Sequence, residues 1–253
     1  MLLTRLGIER LWGGGPEGGW AFMRYWMVPA TLSLAPSSCA YGAGRVPASG
    51  GAVLAANHLS AIDPPLIGIF SRRAIWYMMK SELYEIPLIG EAFTWSGGFP
   101  IRRGESDREG LRRARELVRA GHVIGVFPEG TRQRFGYPGE VQPGAVMIAM
   151  HEEVPLLPCA VESFGWSRRN RRRCCVVFGE LMSFAALPRN GRGYREASEL
   201  MRLELQRLWR QAAEAVAAGF PEELPDGAPR SGPIRPRRDI VVKGGIRTVR
   251  DLG

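Results

Sequence analysis

An α/β domain with a central mixed, largely parallel sheet flanked by helices is the fold this sequence predicts. Short unbroken apolar runs alternate with stretches of helical periodicity, no internal repeat is present, and polar motifs fall where the apolar runs end. The domain is expected over residues 41–218, between an N-terminal element, 1–40, and a tail, 219–253.

The first element rests on the apolar stretch from Trp20 to Ala35, about sixteen residues interrupted by Arg24 and Pro29, where a spanning helix needs roughly twenty. A secretory signal fits poorly, because the segment before that stretch is long, Gly-rich and weakly basic. An amphipathic helix in the membrane interface is the expectation, with Trp20, Phe22, Tyr25, Trp26 and Met27 as the aromatic and apolar residues favoured there. Packing of the same side chains on the domain would produce the same pattern.

The sheet begins with Ala52 to Ala56, AVLAA, a run suited to burial on both faces. Asp63, Pro64 and Pro65 then read as the cap and opening of a helix, leaving Asn57 to Ile62 as the loop at a strand's C-terminal end. A helix over Asp107 to Ala120 follows from Leu111, Ala114, Leu117 and Val118, and a strand over His122 to Phe127 runs straight into the turn-forming PEGTR. Gly144 to Met150 suggests a buried helix, Val154 to Val161 and CCVVFG suggest two more strands, and Glu196 to Ala218 an amphipathic helix. Beyond Pro221 the composition of Pro, Gly and Arg predicts a loose tail.

Lys and Arg number 34 against 25 Asp and Glu, a net charge of +9 that favours an anionic partner: phosphate, nucleic acid or an acidic membrane face. Nucleic acid is set aside, since the basic cluster Arg168 to Arg173 comes without zinc-ligand spacing, an RNA-recognition signature or basic heptads. Cys39, Cys159, Cys174 and Cys175 lack metal-ligand spacing and read as reduced thiols, so no metal is expected.

His58 and Asp63 stand five residues apart in NHLSAID, across a strand-to-helix turn where they can converge. A carboxylate on one ring nitrogen leaves the other free to take a proton from an alcohol, and a base so placed contributes roughly 10²- to 10⁴-fold in rate. Read alone, the pair is better taken as a turn histidine and a helix-capping aspartate. In FPEGTR, Gly130 permits close backbone approach and Arg132 offers a planar donor fork suited to phosphate. GGFPIRR places Arg102 and Arg103 after another apolar run, two arginines that physics alone does not rank.

The ordered set NHLSAID, GGFPIRR, FPEGTR and VPLLP resembles the four motif blocks of the glycerolipid acyltransferases that acylate lysophosphatidic acid. The resemblance covers about Ala52 to Val161. It implies a glycerolipid-acyltransferase-like domain in which His58 is the general base, Asp63 orients it, and the substrate alkoxide attacks an acyl thioester without an acyl-enzyme. It further implies an acceptor phosphate site of Arg103, Glu129, Gly130, Thr131 and Arg132, with Glu129 holding an arginine in place through a bidentate pair. Asn57, Ser60, Lys80 and Pro158 are supporting positions, Pro158 in a strand bordering the acyl pocket. Arg102 departs from the family, which often has an acidic residue or asparagine there.

The expected reaction moves an acyl group to the sn-2 hydroxyl of 1-acylglycerol 3-phosphate. No cofactor is expected; acyl-CoA or acyl carrier protein is the co-substrate, a lysophospholipid the acceptor. The chain is expected at an anionic membrane surface on the cytoplasmic face, peripheral or monotopic. Glycerol 3-phosphate, another lysophospholipid or a hydroxylated lipid are alternative acceptors, and a non-catalytic membrane-binding protein is the reading from another class.

Overall fold

The computed structural model describes residues 15–85, 90, 98–101 and 108–234; within these, only the backbone is described for 15–24, 80, 82–83 and 100–101. Eight strands form one sheet: β1 (Cys39–Tyr41), β2 (Ala52–Ala56), β3 (Ile75–Lys80), β4 (Phe99–Ile101), β5 (Val123–Val126), β6 (Leu156–Glu162), β7 (Cys175–Phe178) and β8 (Arg230–Ser231). Their order across the sheet is β4-β3-β5-β2-β6-β7-β1-β8. The first five neighbours run parallel, β7 is antiparallel to β6, β1 parallel to β7, and β8 antiparallel to β1. This is the mixed, largely parallel sheet the sequence predicts.

Among the described residues five helices cover it: α1 (Gly15–Leu34), α2 (Asp63–Phe70), α3 (Arg108–Arg119), α4 (Gly144–Glu152) and α5 (Gly191–Ala217). Strand β2 shows how they are divided. Ala52, Leu54 and Ala56 face Val28 of α1 and Leu66, Ile67 and Phe70 of α2. Val53 and Ala55 face Ala114 and Leu117 of α3, Val146 of α4 and Met201 of α5 on the other side. A strand buried on both faces needs no polar alternation, which is why AVLAA reads as one apolar run.

The chain leaves β2 for α2 on one face and leaves the neighbouring β5 for α4 on the other. Connections diverging from adjacent parallel strands open a crevice at their C-terminal ends, where ligands bind in open α/β sheets. The histidine loop and PEGTR flank that crevice.

Both flanks of the expected domain pack on it where they are described. Over residues 25–40 the N-terminal element packs on the domain: Val28 and Thr31 of α1 are buried, Met27, Leu32 and Leu34 pack on the domain core, and Trp26 is 59% exposed. No helix among the described residues is long and apolar enough to cross a membrane. The tail expected to be loose from 219 is packed over residues 219–234. Phe220, Leu224 and Ala228 bury against Leu208 and Ala212 of α5, Tyr41 Oη donates to the Pro221 carbonyl (2.6 Å), and β8 closes the sheet. Residues 235–253 lie outside the described part. All four cysteines are free and buried.

Candidate active site

Asn57 follows β2 immediately and is fully buried. Its side-chain amide donates to the Val161 carbonyl (3.0 Å) and its Oδ1 accepts the Val161 N–H (2.8 Å), so the side chain prolongs the β2–β6 ladder by one rung. The turn that follows thereby starts from a fixed point.

In that turn His58 Nδ1 lies 2.8 Å from Asp63 Oδ2, and the imidazole is 13% exposed while the aspartate has no exposure. Asp63 is the first residue of α2, but its side chain does not cap that helix. It turns back over the loop, its Oδ2 accepting the Leu59 N–H (2.7 Å) and the Ser60 N–H (2.8 Å) and its Oδ1 accepting the Ser163 hydroxyl. Ser60 Oγ is 3.0 Å from the same Oδ1 and 2.8 Å from Ser163 Oγ; its single proton serves one of them. A buried carboxylate ringed by donors stays a pure acceptor, so His58 carries its proton on Nδ1 and presents the Nε2 lone pair outward. The imidazole stacks on Phe127, with centroids 4.3 Å apart and planes 25° apart, which fixes its second rotational freedom.

Ser163 has no precedent in the motifs. It stands one residue beyond β6, 100 positions from Asp63, and reaches it because β2 and β6 pair in register. Neighbours in an extended strand end point opposite ways: Glu162 accepts from Trp209 Nε1 of α5 (2.7 Å), while Ser163 faces the aspartate. A hydroxyl-bearing residue at the C-terminal end of a core strand was the available signal.

Among the described residues Glu129 is bound by backbone donors, and Arg103, one of the arginines it could hold, lies outside them. Its Oε2 accepts the His58 backbone N–H (2.7 Å) and its Oε1 the Gly139 N–H (2.9 Å), so the carboxylate ties the histidine loop to the far end of the 128–143 loop. Burial drives its carboxyl up to about 7, the two N–H donors opposing and the Asp63 charge adding to the rise. The Gln133 N–H donates to the His58 carbonyl (2.7 Å), so His58 is gripped at both ends of its own peptide frame.

Gly130 turns that loop at φ +71°, in the left-handed region that glycine enters without strain. Thr131 and Arg132 are exposed and line, with Leu59, Gln133, Arg134, Phe164 and Gly165, an open groove of ≈ 630 Å³ beside the histidine loop. Arg132 makes no ion pair with a described carboxylate. Lys80 ends β3, and Pro158 is buried in β6 opposite Ala55, outside the hydrogen-bonded cluster around Asp63. Arg103 lies outside the described residues.

A family model described as Acyltransferase matches residues 38–162. The 1-acyl-sn-glycerol-3-phosphate acyltransferase of Bacillus subtilis (strain 168) is 30% identical over 163 residues, 62% of this chain and 81% of that protein. The chain belongs to the acyltransferase family. A chloroplastic 1-acyl-sn-glycerol-3-phosphate acyltransferase of Brassica napus is 32% identical over 115 residues, 45% of this chain and 33% of that longer protein. Among solved structures, the 1-acyl-sn-glycerophosphate acyltransferase PlsC of Thermotoga maritima superposes with a TM-score of 0.61 at 22% identity, over 76% of this chain and 80% of that one, a likeness of fold. The matched span of this acyltransferase begins just before β1 and ends on β6, taking in the crevice and every residue that holds His58 except Ser163.

Proposed function

We propose that this acyltransferase moves a fatty acyl group from an acyl thioester to the sn-2 hydroxyl of 1-acylglycerol 3-phosphate, giving phosphatidic acid. The observation that carries the reading is the juxtaposition, at one crevice, of a locked His58–Asp63 pair and an open groove bearing an arginine that pairs with no described carboxylate.

His58 Nε2 takes the proton of the acceptor hydroxyl as its oxygen attacks the thioester carbonyl. Asp63 holds the imidazole in the required tautomer and stabilises the imidazolium that forms. Collapse of the tetrahedral intermediate breaks the carbon–sulfur bond, and the Nε2 proton passes to the departing thiolate. His58 returns to neutral with no covalent enzyme intermediate. Arg132 is a planar fork for the acceptor's phosphate, helped by the Thr131 hydroxyl and the backbone freedom of Gly130. Arg103 is assigned to the same phosphate from the resemblance of its motif block GGFPIRR, with Lys80 as a supporting cation.

The donor is acyl-CoA or acyl carrier protein, both acidic and suited to a chain of net charge +9. The enzyme works at the cytoplasmic face of the membrane as a peripheral or monotopic protein. The test is transfer from labelled acyl-CoA and from acyl carrier protein to lysophosphatidic acid, wild type against His58→Ala. Phosphatidic acid from the wild type, nearly lost in the folded variant, supports the reading; activity on glycerol 3-phosphate or another lysolipid alone reassigns the acceptor; silence with all of them defeats it.

A further inference from the structure

Two loops border the groove, 131–137 and 164–173, and between them they carry seven arginines and no acidic residue. Arg132, Arg134, Arg168, Arg169 and Arg171 make no ion pair with any described carboxylate. The same loops hold unusually bare aromatic rings: Phe135 is 78% exposed, Tyr137 53% and Phe164 42%. Phe135 and Tyr137 lie with centroids 6.3 Å apart. Between them Gly136 adopts φ +83°, and a Cβ there would meet the Phe164 ring at 2.8 Å, so the ring lies directly on this glycine and joins the two loops.

The second loop is also anchored behind. Trp166 Nε1 donates to the Leu34 carbonyl at the end of α1 (2.9 Å), and the Arg172 guanidinium donates to the Phe164 carbonyl. The loop that carries Phe164 is therefore tied to α1 and across its own base.

We propose that this aromatic and arginine rim is the surface by which the enzyme sits on an anionic lipid bilayer, with the groove mouth facing the leaflet. Arginine attracts lipid phosphates and aromatic rings settle at the headgroup level, a combination that fits a bilayer better than an acidic protein, which would meet the charges but leave three rings in water. The assignment rests in part on the function proposed above, because a lysophospholipid must pass from the leaflet into the groove beside Leu59. Membrane attachment through α1 alone would leave the charge and the rings of both loops without a role.

The test is co-sedimentation of the full chain with vesicles of phosphatidylcholine, alone or with about one-third phosphatidylglycerol. The variants are Arg169→Gln/Arg171→Gln and the same pair with Phe135→Ser/Tyr137→Ser. Wild type is expected to prefer the anionic vesicles, less so as salt is raised. Each arginine at such a surface is worth a factor of about five, so the double variant loses about 25-fold and the quadruple more. Both should keep the wild-type thermal transition and turnover of a short-chain, water-soluble lysophosphatidic acid while losing turnover of vesicle-borne acceptor. Unchanged sedimentation of the folded variants overturns the proposal, as does equal binding of wild type to both vesicles, or a loss of carrier-protein binding with vesicle binding intact. If wild type fails to acylate the soluble acceptor yet vesicle binding falls as described, the surface stands and the assigned reaction does not.

Discussion

The two loops that face each other across the β2–β5 crevice are built on opposite plans. The turn 57–63 is buried, and its polar side chains are engaged: Asn57 with β6, Asp63 with four or five donors, His58 with a carboxylate and an aromatic ring. The loop 128–143 has one buried carboxylate, Glu129, and beyond it an exposed succession of Thr131, Arg132, Arg134, Phe135 and Tyr137. Proton transfer tolerates little positional error, and the first loop is rigid for that reason. Recognition of a mobile lipid headgroup tolerates more, and Arg132 and Arg134 of the second loop form no ion pair with a described carboxylate. Substitutions at His58 or Asp63 should therefore act on kcat, and substitution at Arg132 on acceptor KM.

The largest effect is expected from His58→Ala, which removes the base and should lower kcat by about 10²- to 10⁴-fold with a folded protein and near-native acceptor KM. Asp63→Asn should approach it and also destabilise, because an amide nitrogen would face N–H donors that now meet a carboxylate oxygen. Rate assays beside thermal unfolding check both; a large rise in KM with kcat preserved would reverse the division drawn between the loops.

Glu129 is where the two loops are joined, and it gives the next effect, on stability. Its carboxyl is raised from an ordinary 4.5 to about 7, mainly by burial. In the interval between these values the folded protein binds more protons than the unfolded chain, so this group's contribution is full below about 4.5 and lost as pH rises through about 7, roughly 3 kcal/mol in all. Glu129→Gln cannot titrate. Its stability relative to wild type should improve by that order between pH 5 and pH 8, read from denaturant midpoints, and parallel curves would refute the assignment.

Arg132→Ala, in the exposed loop, should leave the unfolding transition in place and cost about 10- to 100-fold in kcat/KM for lysophosphatidic acid, mostly through KM. A monoacylglycerol acceptor, lacking the phosphate, should not register the change. Equal losses on both acceptors would mean that the arginine acts on loop structure instead.

The same contrast explains what could be read from the chain alone. Strand β2 was legible because burial on both faces leaves a plain apolar run, and the His58–Asp63 pair because it is local, five residues across one turn. Strands β3 and β4 escaped notice: IWYMMK mixes aromatic, sulfur and charged side chains, and FPI is three residues long. The packed segment 219–234 was hidden by its Pro and Gly content, although Phe220, Leu224 and Ala228 supply enough apolar surface to dock it on α5. The backbone contacts of Glu129 were not legible, since they are made to N–H groups, which nearly every residue offers and only the fold brings near.

Ser163 belongs with what only the fold reveals, and it gives the smallest effect. Its hydroxyl touches Asp63 and cannot reach the acceptor except through the aspartate and the imidazole, which makes it a positioning residue. One hydrogen bond to a buried carboxylate is worth about 1.5 to 3 kcal/mol, only part of which bears on the orientation of His58. Ser163→Ala should therefore lower kcat by about tenfold and leave KM for both substrates alone. If Ser163 merely filled space, its loss would lower stability without this selectivity. The sharper discrimination is a double-mutant cycle: in a His58→Ala background, Ser163→Ala should cost nothing further in rate, because the group it positions is gone. A full tenfold loss in that background would show Ser163 acting on the substrate directly, and would move the boundary between the rigid and the open parts of the crevice to the end of β6.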